Sequence, residues 1–383
     1  MNHLLTTISK TIEQKNWTVV NQYLQQLLLL ESEQQGTLVA SERQLFLEIA
    51  ILVLSEGDFA ERWEVAKILA KLDKIAIAPL IEILEDAAAD TEARWFAARI
   101  LGEFDQPEVI FSLVNLLETT EDEDLVAITA QSLANLGKSA IDALTRLLEQ
   151  PDYTLVATRA LAQIRRPEVI EPLLTVVQNP DVTVRAIAIE ALGSFHQPRI
   201  IPILITALED LGASVRKEAV IALGFRADVA KKWDLLTHLQ PLLYDFNLEV
   251  CQQAAISISK LNSEEAELVL FKVLKSPHTP IPLQLTLIQA LSRKQSSSSL
   301  QYLHQALSHV SPEGVLEIIR TIGRVETVSL QAEAANILLE FYNSGHSSLE
   351  KNQIKQALAH TWGQLRNKDT VAVLEKLSQD RDR

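Results

Sequence analysis

The chain has 383 residues, of which 47% are hydrophobic and 22% charged, and its formal net charge is −15. This composition can bury a continuous core and excludes an intrinsically disordered chain. The acidic balance excludes strong non-specific nucleic-acid binding and disfavours anionic membranes, because both need clustered cationic side chains. Only 11 Gly and 13 Pro occur, and Leu and Ala dominate, so the composition predicts an all-α protein.

Cysteine and histidine usage argues against metal and disulfide chemistry. Cys251 is the one cysteine, which excludes an intrachain disulfide and a cysteine metal cluster. The eight histidines are scattered and form no ligand pattern, so we expect no metal site. The N-terminal residues lack the pattern of a secretory signal, and the apolar runs are too short to span a bilayer. We therefore expect a cytoplasmic protein without membrane insertion.

The N-terminal 57 residues are predicted to form a helical cap. Their apolar spacing indicates helices at about 3–15, 17–33 and 40–55, with a loop at 35–39. These helices are out of register with the segments that follow. We interpret residues 1–57 as a cap that covers the apolar edge of the first repeat.

Residues 58–292 contain a helical sequence motif that recurs at intervals of roughly thirty residues. The motif ends in Leu-Gly or a close variant, with an Arg eight positions before the Gly, as in the three segments Arg94–Gly102, Arg185–Gly193 and Arg216–Gly224. Such a period predicts a stacked repeat array, an architecture that usually binds rather than catalyses.

One unit shows the expected local structure. Pro167 begins a predicted helix over 167–178, the segment 179–181 forms a turn, and a second helix follows over 182–195. The Ala and Gly residues of the second helix should let neighbouring helices approach closely. An insertion is predicted around Ala227–Trp233, where the spacing between repeats lengthens.

Residues 293–383 are predicted to form C-terminal helical repeats and a cap. The polar run at 293–299 indicates a loop, after which two helix pairs and a last helix end near Ser378. The tail 379–383 is expected to be frayed.

The repeats resemble a known family. Asp90–Gly102 and Asp181–Gly193 carry the pattern D-x-x-x-R followed by A-x-x-A-L-G or a close variant, then a helix that begins with Pro, and this pattern resembles HEAT repeats. The sequence of residues 92–117 is similar to that of the bilin-lyase-type HEAT-like subfamily of phycobilisome-bearing bacteria. The resemblance covers roughly residues 58–325 and, more weakly, residues to about 380. It implies a right-handed α-α superhelix of about nine to ten helix pairs.

The resemblance also implies structural and functional roles. Asp and Arg would form an internal ladder, which here would be Asp90 with Arg94 and Asp181 with Arg185; Arg216 keeps the Arg but has Gly212 in place of the Asp. Subfamily members include subunits that attach bilin chromophores to phycobiliproteins or remove them. No stretch of this chain marks it as a lyase.

Five residues of the second helices form a candidate binding patch. Counted from each ladder Arg, the outward positions are Trp63, Lys67, Trp95 and Arg99, and two units further on Arg159. Trp and Arg are the residue types that dominate binding hot spots. The patch would lie on the concave face. The alternative is that both indoles pack between units, with Lys67 and Arg99 extended across them.

The segment 82–124 has thirteen carboxylates and two basic residues. Two interpretations are open: a solubilising outer face, or a docking face for a basic partner.

The sequence favours a non-enzymatic scaffold that holds a protein partner in a groove, in photosynthetic or phycobiliprotein assembly or turnover by resemblance. No catalytic constellation, metal ligand set or cofactor motif is evident; 136–139 ends like a phosphate loop but follows a helix, and Cys251 is expected in the core. The alternative is a bilin lyase, isomerase or chromophore-handling subunit in which the two indoles would hold a tetrapyrrole and the cations its propionates. An adaptor in cofactor or metal-cluster assembly is a third possibility.

Overall fold

The structure is a computed structural model that describes residues 11–33, 40–366 and 370–378. Within these ranges the regular elements are α-helices and short 3₁₀ segments, and no strand occurs, which confirms the predicted all-α class. Residues 11–13 are helical; the rest of the predicted helix before residue 11, the loop at 35–39 and the tail 379–383 lie outside the described residues. Contacts divide the chain into two compact units, Met1–Ala191 and Leu192–Arg383. This boundary falls inside the segment 58–292, and the three-part division at 57 and 292 stays a prediction.

The first unit consists of paired helices. Its helices are α1 Trp17–Glu33, α2 Ala40–Glu56, α3 Phe59–Leu69, α4 Ile77–Glu85, α5 Thr91–Leu101, α6 Pro107–Thr119, α7 Glu123–Asn135, α8 Ile141–Leu148, α9 Thr154–Gln163, α10 Ile170–Thr175 and α11 Val182–Gly193, which ends just past the unit boundary.

Each pair has a first and a second helix. The second helices α3, α5, α7 and α9 pack on one another in that order, and each packs against the first helix that precedes it. Helices α1 and α2 both pack against α3, so they cover the N-terminal end of the row. The first unit thus has the layered organisation of a repeat array, in which neither helix of a pair buries its apolar stripe alone.

The second unit repeats the arrangement. Its helices are α12 Ile201–Ala207, α13 Ala213–Gly224, α14 Leu235–Leu239, α15 Leu248–Ser259, α16 Glu264–Leu274, α17 Ile281–Ser292, α18 Ser297–Ala306, α19 Pro312–Ile322, α20 Val328–Asn343, α21 Asn352–Leu365 and α22 Val371–Ser378. The second helices here are α13, α15, α17, α19 and α21, which pack in sequence. With α11, the second helix of the pair at 167–193, the two units together contain ten second helices over the described residues, in agreement with the predicted nine to ten pairs.

The first helix of the unit at 167–178 is shorter than predicted. Residues Pro167–Val169 form a 3₁₀ segment and the α-helix begins only at Ile170. Pro172 explains the difference, since it has no backbone N–H and is tolerated only in the first turn of an α-helix. A start at Ile170 places Pro172 in that turn.

Small residues set the distance between second helices, as predicted. A Cβ added at Gly224 would lie 2.6 Å from the Cβ of Ser257 and 3.0 Å from its Cα. At Gly193, an added Cβ would lie 2.8 Å from the Cβ of Ala222. The helices therefore approach so closely that no side chain fits at these Gly positions.

The predicted insertion is anchored by a buried cation. After Gly224 the chain forms a 3₁₀ segment at Ala227–Val229 and then turns towards α14. Arg226 is buried, and its guanidinium donates to the carbonyls of Gly193 at 3.0 Å and Phe195 at 2.8 Å, and to that of Ala222. Burial lowers the pKa of Arg226. These hydrogen bonds connect the insertion to the end of α11, the second helix of the preceding repeat.

Among the residues that the structure describes, no helix is long and apolar enough to cross a membrane.

Candidate functional site

Five side chains at the first two second helices form what we call the aromatic cluster: Phe59, Trp63, Trp95, Phe96 and Arg99. The guanidinium of Arg99 lies 4.0 Å from the centroid of the Trp63 ring and 5.8 Å from that of Trp95, within cation–π range of both. Phe96 is fully buried beneath and packs edge-on against both indoles. Phe59 stacks on Trp63 with ring centroids 6.2 Å apart and is 55% exposed. Both Trp residues and Arg99 are half-buried.

Helix caps fix the position of these side chains. Asp58 begins α3 with a capping box, in which its carboxylate accepts from the N–H of Glu61 at 2.9 Å and Glu61 accepts from the N–H of Asp58 at 3.0 Å. Asp90 begins α5 by accepting from the N–H groups of Glu92 and Ala93. Both helices thus start at equivalent residues, so Trp63 and Trp95 occupy the same position on neighbouring helices.

The other two residues of the predicted patch lie apart from the cluster. Lys67 is exposed, and its ammonium pairs with Glu64 of the same helix at 2.6 Å. Arg159 is exposed on α9, two second helices beyond α5. The structure therefore brings together Trp63, Trp95 and Arg99 of the predicted five. Phe59 was missed, although its place four residues before Trp63 puts both on one helix face.

Two ladder arginines, Arg62 and Arg216, bind a carboxylate of the next repeat. Arg62 is buried and donates to Asp90 at 3.1 Å, to Glu92 at 2.6 Å and to the carbonyl of Ser55 at 3.0 Å. Burial by itself raises the pKa of Asp90, but hydrogen bonds from Arg62 and two backbone N–H groups outweigh it and lower the pKa. Asp90 thus serves Arg62, 28 residues earlier, instead of the predicted partner Arg94.

The ladder arginines of the two predicted pairs bind backbone carbonyl groups. Arg94 donates through Nε to the carbonyl of Leu84 at 3.0 Å, at the end of the preceding helix. Arg185 donates to the carbonyls of Asn179 at 2.8 Å and Pro180 at 3.1 Å, while Asp181 caps the N–H of Thr183 at 2.7 Å. The ladder Arg therefore satisfies carbonyl groups at the end of the first helix of its own repeat or in the turn that follows that helix.

In the second unit, Arg216 binds both backbone carbonyl groups and a carboxylate of the next repeat. Its guanidinium donates to the carbonyls of Asp210 and Leu211 and binds the carboxylate of Asp245 in the next repeat with two hydrogen bonds of 2.7 Å. The side chains are only 15% and 6% exposed. Burial by itself raises the pKa of Asp245, but the bonds from Arg216 and from the N–H of Asn247 lower it. The residue that caps the next second helix is Asn247, so the carboxylate comes from Asp245, two residues earlier.

Sequence comparison identifies these units. The family described as HEAT repeats matches residues 77–158, 154–224 and 170–240. Residues 77–240 are HEAT repeats. A search among proteins of curated function gives no match.

Several solved structures are similar to this chain at low sequence identity. An engineered protein is 21% identical, with a TM-score of 0.41, over 84% of this chain and 99% of its own. A mutant of Kap121p is 17% identical, with a TM-score of 0.44, over 87% of this chain and 39% of its own. The complex of CpcE and CpcF of phycocyanin lyase from Nostoc sp. PCC7120 is 22% identical, with a TM-score of 0.26, over 69% of this chain and 94% of its own. The identities and TM-scores are too low for any of them to assign a function.

In repeats that lack the ladder Arg, the residue at the same position still donates to a backbone carbonyl. Thr154 donates to the carbonyl of Leu148, Cys251 to that of Asp245 at 3.1 Å, and Gln284 to that of Thr279 at 3.0 Å. Cys251 is buried as predicted, and burial raises the pKa of its thiol. This thiol is therefore a structural donor and a poor nucleophile.

The described residues contain no group of three or more His, Cys, Asp or Glu side chains that could hold a metal ion. The segment 136–139 is an inter-helix turn, as predicted: Gly137 has φ +62 and begins a 3₁₀ segment after α7. What distinguishes the row of second helices chemically is the aromatic cluster.

Proposed function

We propose that this HEAT-repeat chain is a non-enzymatic scaffold that binds a protein partner on the row of second helices, at the aromatic cluster. The observation that carries the proposal is the position of Arg99, which covers a face of Trp63 and lies within cation–π range of Trp95. The indoles hold the guanidinium in place, so it reaches a partner with little loss of conformational freedom.

The cluster has the composition of a binding hot spot. It combines a buried base, Phe96, with two half-buried indoles and the exposed edge of Phe59. Aromatic and Arg anchors that are already packed contribute most of the binding energy at protein interfaces. A fitting partner presents an apolar side chain to Phe59 and Trp63 and a carboxylate to Arg99. The exposed Arg159 further along the row would extend the contact to a second carboxylate.

The proposal includes a cytoplasmic location and needs neither cofactor nor metal. The sequence resemblance makes a phycobiliprotein the first partner to test. Bilin binding between the indoles has no observation in its favour, because Arg99 already covers a face of Trp63 on which a tetrapyrrole would stack.

The test is affinity purification from the organism that encodes the chain, with the wild type and a Trp95→Ala/Arg99→Ala variant in parallel. We expect a protein to be recovered stoichiometrically by the wild type, and its affinity for the variant to fall by about 2 kcal/mol or more. Phe111→Ala is the matched control, because this exposed aromatic residue lies on a first helix.

Circular dichroism and thermal unfolding of the same variants complete the test. Because Phe96 rather than Trp95 fills the core, the helical signal should stay nearly intact. If the variant loses thermal stability but keeps the partner, the indoles serve packing and the proposal is wrong. Capture of no stoichiometric partner, or an absorption change on mixing with free bilin, would also overturn it.

A further inference from the structure

A second surface lies between the first helices α6 and α8. Whereas α4 and α6 pack against each other, α6 and α8 make few contacts. A groove of about 750 Å³ remains between them. Its floor is apolar and includes Ile110, Val114 and Leu147, and Phe111 stands at its edge with 74% of its surface exposed. We call this feature the α6–α8 groove.

Hydrogen bonds hold both ends of the groove. At one end the hydroxyl of Ser139 donates to Asp105 at 3.0 Å. At the other end Gln150 donates to the carboxylate of Glu118 at 3.0 Å, and the hydroxyl of Tyr153 to the carbonyl of Glu118 at 3.1 Å. These bonds connect the two layers across the gap at its ends and leave the middle open. The groove is thus already formed before any partner arrives, which lowers the entropic cost of binding.

The rim of the groove is acidic. Asp105, Glu118 and Asp142 line it and are exposed, and Arg146 is the one cation among its lining residues. The α6 side of the groove, with Asp105 and Glu118, belongs to the acidic segment 82–124, which has thirteen carboxylates in all. An apolar floor between carboxylates is complementary to an apolar stripe flanked by cations.

We propose that the α6–α8 groove docks a basic amphipathic helix of a partner protein. The residues Ile110, Phe111 and Val114 present an apolar face of α6, a helix of thirteen residues or about 20 Å. A partner helix of about three turns, with apolar anchors at i, i+3 or i+4, and i+7, matches that length. Its Lys and Arg side chains pair with the rim. A second copy of this chain is a poor occupant, because two chains of net charge −15 repel each other.

This surface is separate from the aromatic cluster, which lies on second helices. The two proposals therefore succeed or fail independently, and the variants of each site serve as controls for the other.

The experiment pans a displayed library of helix-favouring peptides of about fourteen residues against the full chain. We expect the enriched peptides to carry excess Lys and Arg around apolar residues at helical spacing. Synthetic versions should bind about tenfold more weakly to Phe111→Ala, and several-fold more tightly to Arg146→Glu, which removes the opposing cation. Binding should weaken as NaCl is raised.

The Trp95→Ala/Arg99→Ala variant should bind these peptides as the wild type does. The proposal is wrong if no peptides are enriched, if the enriched peptides are neutral or acidic, or if Phe111→Ala and Arg146→Glu leave their affinity unchanged. Self-association in sedimentation experiments that Phe111→Ala abolishes would assign the groove to a second copy, and would also overturn it.

Discussion

Single side chains in this protein connect successive repeats, and Arg216 is the clearest case. It satisfies two carbonyls at the end of the preceding turn and holds Asp245 with two short bonds. Both side chains are largely removed from water. Removal of one partner therefore leaves an uncompensated buried charge, which costs far more than the loss of an exposed pair.

We expect Asp245→Asn to lower the free energy of unfolding at pH 7 by about 3 kcal/mol. The exposed pair Lys217–Glu249 is the control: Glu249→Gln should cost less than about 0.5 kcal/mol. Urea unfolding of the three proteins, followed by circular dichroism, measures both. Equal losses for the two variants would show that the buried pair has no special role.

The same pair predicts a pH dependence. The pKa of Asp245 is lower in the folded chain than its ordinary value. The stability that ionised Asp245 contributes is therefore fully present above its pKa in the unfolded chain, which is about 3.9. It is lost as pH falls from about 4 through the lower folded pKa. The stability gap between wild type and Asp245→Asn should therefore stay constant from pH 7 to about 5 and narrow below 4. A gap that widens in acid would contradict this sign.

At the scale of elements, the spacing of second helices depends on residues without a side chain. Gly224 ends α13 at a point where α15 leaves no room for a Cβ. Gly363, inside α21, has nothing within 4 Å of the place that a Cβ would occupy. The two glycines have opposite roles, because one permits close packing and the other only adds freedom to the unfolded chain.

We expect Gly224→Ala to destabilise the second unit by about 1–3 kcal/mol, because α13 and α15 must separate. Gly363→Ala should instead raise stability by about 0.5–1 kcal/mol, since Ala favours helix interiors. Thermal unfolding of both variants measures the difference. If Gly224→Ala were neutral, the close approach of the two helices would not limit stability.

For the molecule as a whole, charge is the dominant feature. The chain has 50 Asp and Glu residues against 35 Lys and Arg residues, and the exposed Lys67 is itself paired with Glu64. The folded chain carries net negative charge in a small volume, and this self-repulsion opposes folding.

We expect the melting temperature to rise by a few degrees when NaCl increases from about 20 to about 300 mM, because salt screens the repulsion. Differential scanning calorimetry measures it, and KCl should give the same rise as NaCl. An unchanged or lower melting temperature would mean that favourable ion pairs outweigh the repulsion.

The sequence by itself determined the helical class, the pairing of helices and the small residues between them, because these follow from local periodicity, caps and propensity. It also indicated that Trp63, Trp95 and Arg99 belong to neighbouring second helices. Whether those residues bind a partner stays a proposal.

Only the tertiary structure decided which groups meet across repeats. Asp90 pairs with Arg62 and not with Arg94, Arg226 enters the core, and the gap between α6 and α8 exposes a groove. These contacts depend on how far neighbouring helices stand apart and where each loop returns the chain. Local sequence does not encode those distances, because packing of the whole layer sets them.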